Sequence, residues 1–414
     1  MNFQIDVHNS FEAIPPKQWE QLAAPRSPYQ DLAWYENAPL PGRLRLITAW
    51  ADGELRAILP LFIITGPSHY YHSPRELFCG FREQALLESY GGKDRSLEEV
   101  LAARWFPAAI SISPYGYRGG VITNERTATA ALFAAVTKAA DELCRTEGVQ
   151  LATYHYLNED DDRDWLRSLA RSGAQLVLSG ADCNLPIIWS SIDDYFCALG
   201  PRGRRVRAEF RRSCRPGSGI ASYAWEGAGG VLTEKMVGVV GGLFATSARR
   251  HGEARPPMDL YDAVLRSWPG RRVLLTAAQL NEAPRSALLA FVKGKTLFPK
   301  FFGTETTRHD YFQLTFARLL NWAITARSTR IEYGGGSHKA KLLRGAQLRW
   351  LFAALQVYDD DLRARLHNFL PRYESIKKEH FTNLALRYQR DHTPPPQPLI
   401  EVSLSGTSAL AGDI

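Results

Sequence analysis

The sequence contains no long hydrophobic run. Among its 414 residues, no uninterrupted apolar stretch approaches the roughly 20 residues that a membrane-spanning helix needs. The opening residues, MNFQIDVHNSFEA, contain neither a basic leader nor an apolar core segment, so they do not resemble a secretory signal. These two absences predict a cytoplasmic protein with no membrane span.

Cysteine is scarce. The chain has five cysteines and no Cys-x-x-Cys pair, a pattern typical of reduced thiols, which disfavours both a disulfide framework and a structural zinc site. His69, His72 and Cys79 could be drawn as metal ligands, but a fourth ligand is missing, so ordinary histidines are the better interpretation. We therefore expect no metal.

Two common catalytic signatures are also missing. The sequence has no Gly-x-Ser-x-Gly motif to support a Ser-His-Asp hydrolase, and it has no P-loop. Apolar residues make up 45% and charged residues 22% of the chain, which is ordinary for a globular protein. The net charge of +7 comes with a strong arginine bias that a GC-rich genome explains, so only clusters of charge carry information.

The order of predicted elements indicates a mixed α/β (α+β) fold in each half. In the first half, strands at 44–50 and 55–63 form a hairpin through Asp52-Gly53, followed by a helix at 128–147 and a strand at 150–156. In the second half, strands at 272–280, 286–293 and 296–303 precede a helix at 310–327 and a strand at 330–333. We expect two domains, 1–180 and 181–390, and a flexible tail, 391–414.

Two further expectations concern the end of the chain. After Gly345 the pattern predicts a largely helical region, and Pro371 is expected to break or kink that helix because proline lacks the amide hydrogen.

The most unusual stretch is 331–345, IEYGGGSHKAKLLRG. Three consecutive glycines (Gly334, Gly335, Gly336) permit positive φ and close approach to a ligand, and four candidate functional residues follow: His338, Lys339, Lys341 and Arg344. The same residues also suit a glycine-rich hairpin with a solvated basic tip. Both interpretations remain open from these residues alone.

A second cluster is the segment 201–215, PRGRRVRAEFRRSCR. It carries seven arginines against one glutamate: Arg202, Arg204, Arg205, Arg207, Arg211, Arg212 and Arg215. On a helix, arginines 204, 207, 211 and 215 share one broad face. The repulsion among like charges is easier to understand if an anionic partner neutralises them, although a solvated cationic helix is the simpler alternative.

Several short segments resemble the Fem family of aminoacyl-tRNA-dependent transferases and its relatives in peptidoglycan biosynthesis. The resemblance rests on LFPKFFGTE (297–305) and on IEYGGG (331–336) with Lys341 and Gly345, and in the first half on SPYQDLAWYENA (27–38) and SPYGYRGG (113–120). It covers about Ser27 to Tyr388. It implies tandem GNAT-like domains, each a mixed, mostly antiparallel sheet flanked by helices, with the active site in the second.

The resemblance also implies residue roles. In such enzymes an amine attacks an activated acyl carbon, which requires a cation near the oxyanion and a proton acceptor. Lys341 is the better match for the cation, although Lys339 is interchangeable with it, and Glu332 or His338 could accept the proton. Alternatively, Glu332 is buried and paired with Lys339 or Arg344. The substrate-binding candidates are Gly334, Gly335, Gly336, Arg344, Lys300, Phe301, Tyr115, Tyr117 and Trp34.

We therefore predict an aminoacyltransferase that moves an aminoacyl group from aminoacyl-tRNA to a small amine-bearing acceptor, either a secondary metabolite, which we favour, or a cell-wall precursor. The arginine segment is expected to bind the tRNA backbone, and no cofactor is expected. One alternative is an acyl-CoA-dependent N-acyltransferase, which would use coenzyme A. Against it, the junction 303–310 has no Gly-x-Gly for a pyrophosphate, and it contains Glu305 and Asp310. A second alternative is a non-catalytic RNA-binding protein.

Overall fold

The computed structural model describes residues 2–23, 26–67, 72–90, 95–116, 118–124, 128–213, 220–227, 232–277, 283–305 and 308–388. The strands are β1 (Gln4–His8), β2 (Arg43–Ala51), β3 (Glu54–Ile64), β4 (Ala108–Ser111), β5 (Leu151–Asn158), β6 (Gln175–Pro186), β7 (Ile220–Trp225), β8 (Arg271–Ala277), β9 (Ser286–Lys293), β10 (Thr296–Thr304), β11 (Arg330–Gly334) and β12 (Gln347–Val357).

The helices of the first half are α1 (Pro16–Ala23), α2 (Leu32–Asn37), α3 (Pro74–Cys79), α4 (Phe81–Ser89), α5 (Arg95–Leu101), α6 (Ala130–Thr146) and α7 (Glu159–Arg171). They are followed by α8 (Ile192–Ala198), α9 (Gly203–Ser213), α10 (Glu234–Arg250), α11 (Met258–Arg266), α12 (Arg308–Phe312), α13 (Leu319–Thr325), α14 (His338–Leu342) and α15 (Asp360–Tyr388). A π-helical segment, Gln313–Arg318, joins α12 to α13. None of the described helices is long and apolar enough to cross a membrane.

The described strands form one twelve-stranded sheet in the order β1-β2-β3-β4-β5-β12-β6-β11-β10-β9-β8-β7. Only β4 with β5 and β10 with β11 are parallel, and the other neighbours are antiparallel. The predicted hairpin turn at Asp52-Gly53 is present, with positive φ at both residues. The prediction of a mixed, mostly antiparallel sheet flanked by helices is confirmed.

Both halves of the chain repeat one order of elements. The first half runs β1, α1–α2, β2–β3–β4, α6, β5, α7, β6, and α3 to α5 are inserted between β3 and β4. The second half runs β7, α10–α11, β8–β9–β10, α12–α13, β11, α14, β12. The strand, helix and hairpin pattern suggested by the sequence is therefore a structural repeat.

The two halves interlock through their last strands. β6, from the first half, pairs with β11 of the second, and β12, from the second half, pairs with β5 of the first. β6 and β12 also pair with each other in antiparallel register, from Gln347 opposite Asn184 to Leu355 opposite Gln175. The predicted boundary at residue 180 therefore falls inside a strand, and the division into two domains stays a prediction.

Two expectations about local structure need correction. The region after Gly345 was expected to be largely helical, which α15 confirms from Asp360 onward, but Gln347–Val357 forms β12 in the centre of the sheet. Pro371 lies inside the continuous helix α15, where burial of Leu370 and Tyr373 offsets the missing hydrogen bond.

An aromatic cluster joins residues 29–38 of the first half to the second half. The Trp34 ring stacks on Phe301 at a centroid distance of 6.1 Å and meets Trp268 edge-on at 6.0 Å. Its indole nitrogen donates to the Pro114 carbonyl at 2.6 Å. Trp34, a predicted substrate-binding residue, is therefore fully buried core, and it supports the site rather than lining it.

Gly303 sets how closely α10 approaches β10. A Cβ atom at Gly303 would lie 2.3 Å from the backbone carbonyl carbon of Leu243. We expect Gly303→Ala to lower the free energy of unfolding by ~2 kcal/mol, because an overpacked contact forces the helix away from the sheet. Urea denaturation is the measurement.

The matched control is Gly238→Ala on the exposed face of α10, where the added methyl group meets no atom within 4 Å. That change should raise the free energy of unfolding by ~0.5 kcal/mol, because alanine favours the helix. Equal effects at both positions would contradict the packing argument.

Candidate active site

Two adjoining cavities form one cleft that residues from both halves of the chain line. The smaller has a volume of about 550 Å³ and the larger about 1240 Å³. Six residues line both cavities: Ser247, His251, Lys300, Phe302, Ser337 and His338. A ligand in one cavity therefore lies next to a ligand in the other.

The cleft opens where β10 and β11 separate. These parallel strands pair only through Thr296 with Arg330 and Leu297 with Ile331. Beyond that point Lys300 to Phe302 form one wall, and 335–338 form the opposite wall. The repeated fold therefore places the two motifs carrying the resemblance, LFPKFFGTE and IEYGGGSHK, across the cleft from each other.

The glycine run turns sharply into α14. Gly334 has a φ of 65°, Gly336 a φ of 73° and Ser337 a φ of 48°, so the chain uses the left-handed region three times in four residues. This confirms the expected positive φ and excludes a simple hairpin tip. Gly335 and Gly336 line the smaller cavity.

Lys341 stabilises this turn by binding its backbone carbonyls. Its Nζ donates to the carbonyls of Tyr333, Gly334 and Gly335 at 3.0, 2.9 and 2.8 Å, which engages all three ammonium hydrogens. The side chain is buried and lines neither cavity, and burial lowers the pKa of Lys341 to about 8. These contacts favour a role in shaping the glycine run over direct contact with an oxyanion.

Lys339, the alternative cation, has a different position. It lines the larger cavity, with its Nζ 5.1 Å from the centre of the Tyr388 ring. The two lysines that were interchangeable on sequence therefore differ in structure, because only Lys339 faces the cleft.

Glu332 lies in a buried ion-pair network. Its carboxylate accepts hydrogen bonds from Arg349 and pairs with Arg330 at 2.8 Å, and Arg349 also binds Asp182 at 3.0 Å. Burial raises the pKa of Glu332, and the two arginines oppose that effect. Glu332 lines neither cavity, so the structural alternative is favoured, although its partners are not the expected Lys339 and Arg344.

His338 lies at the junction of the two cavities. Its Nε2 donates to the Ala181 carbonyl at 2.9 Å, and its ring meets Phe381 edge-on. Burial lowers the pKa of His338 to about 4, so the ring is neutral at pH 7. With the proton on Nε2, the Nδ1 lone pair is the acceptor.

The lining of the smaller cavity contains seven aromatic residues together with charged ones, among them Glu83, Glu253 and Lys377. Tyr115, Lys300 and Phe301, three predicted substrate-binding residues, line it together. The Tyr115 amide donates to Nε2 of the buried His72 at 2.9 Å, which fixes the loop after β4. Tyr117 lies outside the described residues. Other aromatic lining residues are Tyr156, Phe244, Tyr261, Phe302 and Phe381.

The larger cavity is strongly basic. Its described lining includes nine basic residues and a single acidic one, Glu209; the basic residues are Arg202, Arg205, Arg250, His251, Lys300, His338, Lys339, Arg344 and His380. Its aromatic wall contains Phe302, Tyr311 and Phe312. Such a lining suits a polyanion that also presents flat rings.

The predicted arginine helix is α9, and it forms part of this cavity. Val206 and Phe210 pack against the core, and Arg202 and Arg205 line the cavity. Arg202 donates to the Tyr388 carbonyl at 2.7 Å, whereas the Arg205 side chain is 88% exposed.

The remaining arginines of the segment differ in environment. Arg207 pairs with Asp193 at 3.1 Å, and Arg204 and Arg211 are exposed outside both cavities. Arg212 lies in the last turn of α9 with a side chain that is not described, and Arg215 lies outside the described residues. The five arginines with described side chains therefore do not form one surface.

Arg344 connects α9 to the glycine run. Its guanidinium donates to Glu209 at 2.6 Å and to the Ala340 carbonyl at 2.9 Å, and it lies 4.5 Å from the centre of the Phe316 ring. It lines the larger cavity while being 7% exposed. Arg344 therefore positions α9 at the edge of the cleft.

Sequence reasoning missed the contribution of α10 and α15. Phe244, Ser247 and His251 follow helical spacing along α10 into the cleft, and Arg250 adds a cation. The sequence signal that could have pointed to this helix is its basic end, Arg249 to His251. His380, on α15, had no sequence signal because α15 reaches the cleft only through the interlocked halves.

Comparisons with known proteins agree with this architecture. The FemAB-like family, described as peptidoglycan biosynthesis/recognition, matches residues 96–389. None of the curated proteins matches the sequence. Among solved structures, the crystal structure of FemX has 12% identity and a TM-score of 0.54 and covers 88% of this chain and 99% of its own.

Two further structures are similar at lower scores. L-PGS from Bacillus licheniformis has 10% identity and a TM-score of 0.49, and covers 86% of this chain and 95% of its own. A tandem GNAT protein from the clavulanic acid biosynthesis pathway has 12% identity and a TM-score of 0.45, and covers 85% of this chain and 98% of its own. At such identities the likeness to FemX is evidence for the fold alone.

The structural roles of Lys341 and Lys339 can be distinguished by measuring the stability of variants at each position. We expect Lys341→Met to lower the free energy of unfolding by ~3 kcal/mol, because three buried carbonyls lose a charged donor. Lys339→Met, the matched control, should change it by no more than ~0.5 kcal/mol because its ammonium lies in the cleft. Urea titrations monitored by circular dichroism measure both. Equal losses would contradict the assignment of Lys341 to the turn.

Proposed function

Because the chain belongs to the FemAB-like family, we propose that it is an aminoacyltransferase, which moves an aminoacyl group from aminoacyl-tRNA to a small amine and forms an amide bond. Family and fold together support the coarser statement that it is an acyltransferase. The observation that carries the finer proposal is the cleft, in which a basic cavity adjoins an aromatic one through Lys300 and His338.

The larger cavity suits the donor. The 3′ end of a tRNA presents consecutive phosphates and unstacked bases, and proteins bind such ends with cations and aromatic rings. The cavity combines Arg205, Arg250 and Lys339 with the rings of Tyr311 and Phe312. An aminoacyl ester entering from this side reaches Lys300 and His338 at the junction.

The smaller cavity suits the acceptor. Its volume of about 550 Å³ is within the usual range for small-molecule sites. Its aromatic walls, which include Tyr115 and Tyr261, favour an amine attached to an apolar or flat body. A small metabolite therefore fits better than a cell-wall precursor, most of which would have to extend beyond the cavity.

The acyl-CoA alternative is less well supported. Asp310, near the start of α12, is buried and pairs with Arg285 at 3.1 Å while accepting from Ser286 at 2.6 Å. A buried carboxylate at this point opposes a pyrophosphate at the helix start. The sequence between β10 and α12, residues 305–307, also contains no glycine that could help to form a phosphate-binding loop.

The site can promote transfer without a covalent enzyme intermediate. The cleft positions ester and amine next to each other, which is a large part of the rate advantage of an amide-forming enzyme. The backbone of the glycine run, held by Lys341, borders the junction through Gly335 and Gly336. Amide groups at such a turn can donate to a developing oxyanion.

The donor assignment predicts a specific salt dependence. The double variant Arg205→Ala/Arg250→Ala should weaken binding of bulk tRNA and reduce the slope of log Kd against log salt by about 1.5, because two phosphate contacts are lost. Fluorescence anisotropy across a salt series, with charged and uncharged tRNA, is the measurement.

The matched control is Arg104→Ala/Arg171→Ala, which removes two exposed arginines that line neither cavity of the cleft. It should leave the slope within about 0.3 of wild type. An identical slope for all three proteins would contradict tRNA binding in the larger cavity. A thermal shift with acetyl-CoA and no affinity for tRNA would support the acyl-CoA alternative instead.

A further inference from the structure

Lys300 occupies an irregular position in the sheet. The pairing of β10 with β9 shifts register between Pro299 and Phe301, so Lys300 is the extra residue of a β-bulge. A bulge turns a side chain away from the regular alternation of the strand, and bulges are frequent next to active sites. Here the bulge lies just beyond the point where β10 separates from β11.

The bulge places the Lys300 side chain at the junction of the cleft. Lys300 lines both cavities, so its amine can reach a group in either one. Its Nζ lies 5.2 Å from the centre of the Tyr29 ring and 6.0 Å from the centres of the Trp34 and Phe301 rings. The aromatic cluster that joins the two halves therefore also surrounds this amine.

This inference rests on the proposed function. We propose that Lys300 is the catalytic residue that carries the proton from the attacking amine to the leaving oxygen. The structure places it between acceptor and donor, as this role requires. Nothing in the family resemblance assigned it more than substrate binding.

The step balances without a further reactant. The acceptor nitrogen forms a bond to the acyl carbon, and the carbonyl electron pair moves to oxygen. The neutral Lys300 amine takes a proton from the new ammonium. When the oxyanion collapses, the bond between the acyl carbon and the ribose oxygen breaks, and Lys300 returns the proton to that oxygen. The products are an amide and uncharged tRNA, and Lys300 is neutral again.

The other candidates suit this role less well. The ammonium hydrogens of Lys341 are engaged by three carbonyls, and Glu332 faces Arg349 away from the cleft. Burial lowers the pKa of Lys300 to about 7, whereas it lowers the pKa of His338 to about 4. A general base works best when its pKa is near the working pH, and a difference of about three units makes His338 a far weaker base at neutral pH.

The amine has several titratable neighbours. Those that share the smaller cavity with it or lie against it are Tyr29, Glu83, Arg82, Tyr115, Tyr156, His251, Glu253, Tyr261, His338 and Lys377. In the larger cavity they are Arg202, Arg205, Glu209, Arg250, Tyr311, Lys339, Arg344 and His380. Burial lowers the pKa of Lys300, because removing the ammonium from water disfavours its charged form.

The first test is a pH profile of transfer from radiolabelled total aminoacyl-tRNA to a pool of amino sugars, amino acids and diamines. For wild type, kcat/KM should rise with an apparent pKa of about 7, because only the neutral amine accepts a proton. Lys300→Arg and Lys300→Met should lower kcat at least ~100-fold, with KM for tRNA little changed, and remove that rise.

The control variants are Lys295→Arg and Lys295→Met. Lys295 is an exposed lysine in the same hairpin. Both variants should keep the wild-type rate and profile. Added alkylamines should restore activity to Lys300→Ala more than to wild type. A Lys300→Met variant that folds and retains at least half of the wild-type kcat would overturn the inference.

A second measurement does not depend on the donor. Trace acetylation of the wild-type protein with labelled acetic anhydride across pH 5–11, followed by peptide mass spectrometry, gives the pKa of each lysine directly. Lys300 should react with a pKa of about 7, well below the ~10.4 of a lysine in a model peptide. An ordinary value for Lys300 would overturn its role as proton carrier whichever donor is used. Absence of transfer from both aminoacyl-tRNA and acetyl-CoA would instead overturn the proposed function.

Discussion

The exchange of β6 and β12 between the two halves is the constraint on which the site depends. β6 carries first-half residues into contact with β11, and the Ala181 carbonyl at that position orients His338. β12 returns the chain between β5 and β6 and delivers Arg349 to Asp182 and Glu332. Without this exchange the glycine run, the loop of Tyr115 and the end of α15 would not share one cleft.

Burial separates two groups of charged residues that look alike in sequence. Lys341 and Glu332 are buried, and backbone carbonyls or arginines supply their partners, so their charges stabilise the turn and the central strands. Removing a partner from such a buried charge costs ~3 kcal/mol or more, which explains why neither is available for a ligand. Lys339 and Arg205 are exposed at the cleft, and Lys300 is half-buried where its two cavities meet.

Local signals predicted much of the fold, and long-range contacts account for the errors. The hairpins, the helix before β11 and the left-handed glycines follow from periodicity and glycine chemistry. β12 was missed because many residues of RWLFAALQV are good helix formers. Its backbone finds its hydrogen-bond partners, β5 and β6, only in the folded chain. Of the residues predicted to bind substrate, Tyr115, Lys300 and Phe301 line one cavity and Trp34 lies in the core beneath it, whereas Arg250 and His380 approach the cleft from distant elements. The partners of Lys341 and Glu332 could not be predicted, because their choice depends on tertiary packing.

The central claim is that the cleft brings an aminoacyl ester to an amine, and consumption of charged tRNA tests it most directly. Total tRNA charged with radiolabelled amino acids is incubated with the protein and the pool of small amines under single-turnover conditions. The account predicts that one or a few amino acids leave their tRNA and appear in an amide product that withstands mild base, unlike the parent ester. Unchanged tRNA, with amide formation from acetyl-CoA under the same conditions, would contradict it.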